Sequence, residues 1–385
     1  MSAKIYDCLV LSGGGAKGSY GAGAAHALSA YYNHTGTERD LCFIGTSAGA
    51  LNAAVLASHD SATLRDLWQN QVSNEALLGT KRPWLKTRLL QGLMSSPYRI
   101  FPNSYLRKLI ERNVDFDRLA GKHLILLTTD LISGELVAFY VSGLMEQFVQ
   151  FDEQQAEQDD DRRLAHLRKI TNKDELVLAL LASAAIPVFF PPVKIGDRYH
   201  VDGGVGNNTP TREAAYFLRF LNETKQGTPG DVYCIQQDEP SITTQGEPDV
   251  SFLGILQRTI DVMMFIHMRP IIKAWNRINV EVEKQEAKLK GFSDWLESTP
   301  YGDDVKAAIS TEVTARLGRL GGVAARLNMP LITVQPSTTL GETLDFDPEA
   351  MRRNVRHGYQ DMLKALRAEG KITGSDYDTL SNRLA

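Results

Sequence analysis

The stretch LCFIGTSAGALNAAVLAS, residues 41–58, constrains the fold more than any other part of the sequence. Its first four residues are apolar and suit a buried strand, whereas its last nine are mostly small or apolar and suit a buried helix. Between them, GTSAG (45–49) matches G-x-S-x-G. A strand that turns so sharply into a helix strains the central residue, and only small neighbours two positions away avoid a clash. We therefore expect the Ser47 hydroxyl to be exposed at a helix N-terminus, where the helix dipole favours negative charge.

Strands alternate with helices on both sides of this turn. Residues 5–11 (IYDCLVL) predict a strand, and residues 18–32 predict a helix of small residues. LILLTTD at 124–130 predicts another strand, with ELVAFYV at 135–141 as its partner. This alternation is typical of an α/β protein in which helices cover both faces of a mainly parallel sheet.

The second half of the chain continues the sheet with fewer signals. RYHVDGG (198–204), DVYCIQQ (231–237) and PLITVQP (330–336) each predict a strand. Because the last strand comes so late, we expect the mostly helical region 250–325 to be an insertion or cap and not an independent domain. The tract DEQQAEQDDDRR (152–163) is polar and acidic without apolar periodicity, which predicts a solvated loop.

A glycine-rich turn follows the first strand, in LVLSGGGAKGSYGAG at 9–23. Gly13, Gly15 and Gly18 fit G-x-G-x-x-G, the pattern that holds a dinucleotide pyrophosphate. That fold also places an acidic residue after the second strand, where this chain has glycine. The order Lys-Gly-Ser at 17–19 does not match the G-K-[ST] of a nucleotide-binding P-loop either. Nucleotide binding is therefore a weak alternative.

The same turn suits the oxyanion that forms when a serine attacks an ester. Such chemistry needs preorganised N–H donors, and glycine permits both unusual backbone angles and close approach to a ligand. Gly13, Gly14 and Gly15 are thus candidates for an oxyanion hole that serves Ser47. A purely structural glycine turn is the other interpretation.

The segment HVDGGVGNNTP (200–210) contains the candidates for the base that would activate the serine. His200 and Asp202 are two residues apart in a predicted strand, so their side chains share a face. Aspartate is a weak base at its usual pKa of about 3.9, but burial raises that pKa and makes the carboxylate a better proton acceptor. The spacing leaves two mechanisms open, a Ser47–Asp202 dyad or a triad that includes His200.

The composition indicates which classes of partner and which cellular compartment to expect. A formal net charge of -4 and a pI near 6.1 give no general attraction to nucleic acid. Three cysteines in apolar, strand-like runs indicate a reduced interior, and the N-terminus shows no basic-then-apolar signal segment. We expect a cytoplasmic protein, with export by a route that needs no signal as the alternative. The uncharged run 176–193 contains three prolines and predicts a buried helix followed by an extended loop, not a membrane span.

Three motifs stand in order along the chain: GGGAKG (13–18), GTSAG (45–49) and DGG (202–204). Together they resemble the patatin-like phospholipase family of lipid acyl hydrolases, which combines a glycine-rich oxyanion loop, a G-x-S-x-G elbow and an Asp-Gly-Gly or Asp-Gly-Ala motif. SAAIPVFFPPV and NNTP, on either side of DGG, are also similar to that family. The resemblance is strong over residues 5–215 and weaker afterwards.

The resemblance implies a three-layer α/β/α patatin-like fold with a mainly parallel sheet. Residues 5–215 would form the catalytic core, 216–249 would continue the sheet, and 326–385 would add the last strand and C-terminal helices. The helical region 250–325 keeps its expected place as an insertion or cap of the same domain.

Residue by residue, the resemblance implies Ser47 as nucleophile, Asp202 as direct base without a histidine, and Gly13, Gly14 and Gly15 as oxyanion donors. Three further groups are candidates for substrate binding. Lys17 takes the family's basic position, where it braces the loop or meets an anionic headgroup. His200 is expected to line the site. Met263 and Met264 lie in 251–275, which is interpreted as core helix, with an acyl-chain lining or a membrane-facing lid as the alternative.

The resemblance therefore implies a phospholipase A or lysophospholipase that works through an acyl-enzyme and needs no metal or organic cofactor. Lipase, transacylase or general esterase activity on other acyl esters is the alternative with the same chemistry. A lipid- or partner-binding module without turnover is an alternative from another class. The expected partners are a phospholipid or other acyl lipid, a membrane surface contacted peripherally, and no nucleic acid.

Overall fold

A computed structural model describes residues 4–79, 101–141, 143–158, 166–237, 258–259, 262, 268–319 and 329–384. Met263 and Met264, two of the candidate substrate-binding residues, lie outside the described residues.

The described strands form one sheet in the order β5-β4-β3-β2-β1-β8-β9, with β7 pairing with β3 and β6 with β7. The strands are β1 (Ile5–Leu11), β2 (Asp40–Thr46), β3 (His123–Asp130), β4 (Leu136–Val141), β5 (His166–Lys169), β6 (Val193–Ile195), β7 (Arg198–Asp202), β8 (Thr228–Ile235) and β9 (Leu331–Val334). The pairings of β1 with β2 and β8, β2 with β3, β4 with β5, and β8 with β9 are parallel. The pairings of β3 with β4 and β7, and of β6 with β7, are antiparallel. The sheet is thus mainly parallel, as expected.

Helices connect most of these strands. They are α1 (Gly18–Thr35), α2 (Ala48–Ser58), α3 (Ser61–Asp66), α4 (Asn74–Leu78), α5 (Ser104–Asn113), α6 (Met145–Gln158), α7 (Lys173–Ser183), α8 (Thr211–Thr224), α9 (Met268–Ser298), α10 (Asp303–Arg319), α11 (Pro348–Ala368) and α12 (Gly374–Ser381). None of the helices in the described ranges is both long and apolar enough to span a bilayer.

Two hydrophobic clusters cover opposite faces of the sheet. Leu9 and Leu11 of β1 point into a cluster shared with α1, α2, α7 and α11. Cys8 and Val10, which alternate with them, point into a second cluster shared with α6 and α8. Because β1 is buried on both faces, it reads as a continuous apolar run. The predicted three-layer α/β/α arrangement is confirmed.

The register along β3 brings two distant parts of the chain together. β2 pairs with β3 as far as Thr46 opposite Leu127. β7 pairs with the next residues of β3, and Asp202 lies opposite Thr128. The residue that follows β2 is therefore adjacent to the last residue of β7.

The prediction of a solvated loop over 152–163 is wrong for its first part, because α6 continues to Gln158. Phe148 and Phe151 bury one face of this helix against Phe217 and Phe220, so helical structure extends into the acidic tract. The prediction for 176–193 is confirmed, since α7 ends at Ser183 and an irregular segment leads to β6. The role of 250–325 as an insertion or cap stays a prediction.

Candidate functional site

Ser47 occupies a strained turn between β2 and α2. Its backbone angles are φ 56° and ψ −128°, a conformation that non-glycine residues rarely adopt and that is found preferentially at functional sites. The Ser47 N–H donates to Ser183 Oγ at 3.0 Å, and this hydroxyl donates in turn to the Leu127 carbonyl at 2.6 Å. Ser183 therefore ties the turn to the end of β3.

The two glycines of G-x-S-x-G are required by close backbone approach. A Cβ on Gly45 would lie 2.4 Å from the Gly49 carbonyl oxygen, and a Cβ on Gly49 would lie 2.1 Å from that of Leu11. The structure therefore supplies the steric reason for the spacing. Ser47 itself differs from expectation, because only 2% of it is exposed. Its side chain lines a small apolar cavity and is almost entirely buried.

Asp202 ends β7 and is fully buried. Its Oδ1 accepts the Gly204 N–H at 2.7 Å. The Ser47 hydroxyl interacts with this carboxylate and favours its ionised form, while Oδ2 has no partner of full hydrogen-bond geometry among the described residues. A buried carboxylate oxygen next to a serine hydroxyl is thus available to accept a proton.

Burial raises the pKa of Asp202 from 3.8 to about 7, although the Ser47 hydroxyl and the Gly204 N–H act in the opposite direction. A carboxylate with such a pKa is a far better base than ordinary aspartate and is still ionised in half or more of the molecules above neutral pH.

His200 is buried beside the site but faces other groups. Its Nδ1 lies 3.0 Å from Thr128 Oγ1, and its ring contacts Phe139 edge-on. Burial lowers the pKa of His200, which favours the neutral imidazole. Among the described residues no hydrogen bond joins His200 to Ser47, and the interaction of the Ser47 hydroxyl is with Asp202.

The glycine loop lies directly beside Ser47, since a Cβ on Gly13 would come within 2.9 Å of Ser47 Cβ. The Gly13 N–H is already engaged: it donates to Asn208 Oδ1 at 3.0 Å and to the Asn208 carbonyl at 3.2 Å. Asn208 Nδ2 also donates to the Gly13 carbonyl at 3.3 Å. The structure thus differs from the prediction that all three glycines are oxyanion donors, because Asn208 occupies the first.

The next two glycines fit the expected arrangement better. Within the described part of the chain, the N–H groups of Gly14 and Gly15 donate no hydrogen bond. Gly15 and Ser47 line the same cavity. The backbone N–H of Lys17 donates to the Gly14 carbonyl at 3.1 Å and closes the turn, while the Lys17 side chain is half-buried.

A small apolar cavity of about 40 Å³, here called the Ser47 cavity, opens beside the serine. It is lined by Gly15, Ser47, Ala48, Leu51, Trp68, Leu77, Leu106, Ala184, Ile186, Phe190, Leu344 and Phe346. An apolar cavity next to a strained serine suits the acyl part of an ester.

A second cavity of about 40 Å³, here called the α2–α5 cavity, adjoins the first. It is lined by Leu51, Asn52, Val55, Leu67, Trp68, Val72, Leu77, Leu106, Leu109, Ile110, Asn113 and Val114. Four of these residues also line the Ser47 cavity.

Sequence reasoning missed three polar residues of the site. Ser183 and Asn208 lie within SAAIP and NNTP, which resemble the family, but the sequence does not indicate the contacts of these side chains. Gln237 is buried against Gly14, where a Cβ on the glycine would meet Gln237 Oε1 at 2.5 Å. No local pattern indicates this last contact, because β8 and β1 must first pair. Within the described ranges, no group of three or more histidine, cysteine or acidic side chains is arranged to hold a metal ion.

Two known proteins and one family model are similar to this chain. The probable lipid hydrolase 463L of Invertebrate iridescent virus 6 is 27% identical over 233 residues, which cover 58% of this chain and 69% of the viral protein. Among solved structures, VipD from Legionella pneumophila aligns over 96% of this chain and 67% of its own, with 14% identity and a TM-score of 0.38. A model of the patatin-like phospholipase family matches residues 9–215. Since that match covers more than half of the chain, this chain belongs to the patatin-like phospholipase family.

Proposed function

We propose that this protein is a serine lipid acyl hydrolase that cleaves fatty-acyl esters of phospholipids or lysophospholipids. The observation that carries the proposal is the meeting of Ser47, on its strained turn, with the buried carboxylate of Asp202. The adjoining apolar cavity and the membership of a family of lipid acyl hydrolases support the same assignment.

In the proposed reaction, ionised Asp202 takes the proton of the Ser47 hydroxyl while Oγ attacks the ester carbonyl. The carbonyl oxygen becomes an oxyanion, and the N–H groups of Gly14 and Gly15 donate to it. When the intermediate collapses, the bond to the alcohol breaks, and Asp202 returns its proton to the leaving lysolipid or glycerol derivative. A water molecule then gives a proton to Asp202 and attacks the acyl-enzyme. The bond to Ser47 Oγ breaks, Asp202 returns the proton to Oγ, and the fatty acid leaves.

His200 has no proton-transfer step in this scheme. Its Nδ1 is beside Thr128, and burial lowers its pKa, which favours the neutral imidazole. We assign it to the lining of the site, where it supports the strand that carries Asp202. Lys17 has two candidate roles: it braces the glycine loop, or it binds an anionic headgroup.

Peripheral contact with a membrane is part of the proposal. Leu131 and Ile132 lie in the turn after β3 and are 52% and 72% exposed. Asp130 Oδ1 holds this turn by accepting the N–H of Ile132 at 2.8 Å. Tyr199 accepts the Leu131 N–H through its carbonyl, and the Lys194 ammonium lies 5.8 Å from its ring centre. Exposed apolar side chains on a hydrogen-bonded turn, beside an aromatic ring and a cation, suit the boundary between water and lipid.

The reaction is tested by incubating the purified protein with phospholipids, lysophospholipids and triacylglycerols and identifying released fatty acid by mass spectrometry. Release from the first two classes that is absent in Ser47→Ala supports the proposal. Release from triacylglycerols alone would assign the protein to the lipases. A fluorophosphonate probe should add its mass to the peptide that contains Ser47, and labelling that survives in Ser47→Ala would exclude this serine as the nucleophile.

Membrane contact is tested separately by sedimentation with phosphatidylcholine–phosphatidylglycerol vesicles. Ile132→Asp places a charge on the turn without touching Ser47 or Asp202. It should weaken vesicle binding and leave hydrolysis of a soluble short-chain ester unchanged. Equal sedimentation of the two proteins would show that this turn does not contact lipid.

A further inference from the structure

The α2 helix carries a row of residues that leads away from the serine. Ser47, Leu51 and Val55 are spaced four residues apart and therefore lie on one face of α2. Ser47 and Leu51 line the Ser47 cavity, and Leu51 and Val55 line the α2–α5 cavity. The row spans about 12 Å at a rise of 1.5 Å per residue.

Four side chains form the partition between the two cavities, because they line both: Leu51, Trp68, Leu77 and Leu106. Trp68 is fixed, since its Nε1 donates to Asn52 Oδ1 at 2.8 Å. The three leucines are held by apolar contact alone, so a change of rotamer can join the cavities. A flexible apolar chain that enters beside Ser47 supplies the contacts that favour this opening.

Two asparagines line the α2–α5 cavity, and among the described residues the amide nitrogen of each is already engaged. Asn52 Nδ2 donates to the Gly18 carbonyl at 2.8 Å, and Asn113 Nδ2 donates to the Leu109 carbonyl at 2.9 Å. The other ten lining residues are apolar, and a lining of this kind favours an apolar ligand. Its chemistry therefore fits a hydrocarbon chain.

The far end of this path meets a different environment at Val114. Val114 lines the α2–α5 cavity and also a charged cleft of about 350 Å³. The cleft is lined on its other sides mainly by His59, Glu111, Arg112, Asp115, Asp117 and Lys173. Contact with hydrocarbon would remove water from these charged groups at a high free-energy cost. Val114 is therefore the wall at which an apolar chain must stop.

We propose that the acyl chain of the substrate runs from Ser47 along α2 through both cavities, and that Val114 sets the longest chain the site accepts. The inference rests on the proposed function, because it assumes that the ester carbonyl is bound at Ser47. It assigns the chain to the space between α2 and α5, a different part of the sequence from residues 251–275.

The test is a series of p-nitrophenyl esters: butyrate, octanoate, laurate and palmitate. Val55→Phe fills the α2–α5 cavity without touching the Ser47 cavity. Each methylene excluded from apolar contact should lower kcat/KM about fourfold. Turnover of laurate should therefore fall far more than that of butyrate. Val55→Ala, the control at the same position, should keep the long-chain preference, and Val114→Ala should move the preferred ester to a longer chain.

A binding measurement keeps this inference separate from the catalytic proposal. Lauric acid should raise the melting temperature of Ser47→Ala, and the added change Val55→Phe should abolish that rise. If wild-type protein hydrolyses no ester but laurate binding still depends on Val55, the catalytic proposal fails and the path stands. If folded Val55→Phe loses butyrate and laurate turnover equally, or keeps the wild-type chain profile and laurate binding, the acyl path is overturned.

Discussion

Replacing Asp202 by asparagine should abolish activity and raise stability in the same protein. Asparagine keeps an oxygen that can accept the Gly204 N–H, but it cannot take the proton of Ser47. Loss of a general base lowers kcat by about 10²–10⁴. The stability gain has a separate cause, because the wild-type carboxylate must lose its hydration when the chain folds.

The magnitude follows from the pKa of Asp202, which burial raises from 3.8 to about 7. This rise corresponds to roughly 4 kcal/mol at about 1.4 kcal/mol per pH unit. Because the folded-state pKa is the higher one, the stability that Asp202 contributes is fully present below about pH 4 and is lost as the pH rises through about 7. Asparagine does not titrate. The variant should therefore gain on wild type with rising pH, by about 2–4 kcal/mol at pH 8 once its new amide N–H groups are allowed for.

The assay combines urea unfolding at pH 5 and pH 8 with turnover of a soluble ester. Glu213→Gln is the matched control, because Glu213 is also fully buried and burial raises its pKa to about 7, yet it lies on α8 away from Ser47. This control should gain stability at pH 8 and keep its turnover. If the stability difference between Asp202→Asn and wild type is the same at both pH values, Asp202 is not a desolvated carboxylate. If folded Asp202→Asn turns over normally, another group is the base.

Three other predictions follow from the contacts around Ser47. Wild-type kcat/KM should rise with pH around a midpoint near 7, the pKa of Asp202. His200→Ala should keep both this midpoint and most of the wild-type activity. If folded His200→Ala is instead as inactive as Ser47→Ala, the histidine is the base. Asn208→Ala frees the Gly13 N–H and loosens the glycine loop that we propose binds the oxyanion. Its kcat should fall about tenfold with KM unchanged, since a whole oxyanion donor is worth about 10²–10³. Steady-state kinetics check this, and a KM that changes as much as kcat would indicate altered substrate binding instead. Ser183→Ala leaves the buried Ser47 N–H unpaired and should cost about 1–3 kcal/mol in urea unfolding; an unchanged unfolding free energy would mean that another group replaces the hydroxyl.

The sequence predicted those parts of the fold that depend on neighbouring residues. The turn at Ser47 and the start of α2 follow from the spacing of Gly45 and Gly49, because close backbone approach there leaves no room for a Cβ. The pairing of β3 with β4 follows from two apolar runs joined by a short turn. Three ordered motifs were enough to indicate the family, and the match to residues 9–215 confirms it.

Tertiary structure alone decided how these parts act on one another. The pairing of β7 with β3 directly beyond Thr46 brings Asp202 to Ser47, and the depth of that position sets the pKa of the carboxyl. The same packing lets Asn208 occupy the Gly13 N–H, which the glycine pattern had left available. It also encloses Ser47 with side chains from α2, α4, α5 and the loop after β9. Local spacing determines backbone turns and periodicity, whereas proton affinity, donor availability and cavity shape depend on burial by residues far apart in the chain.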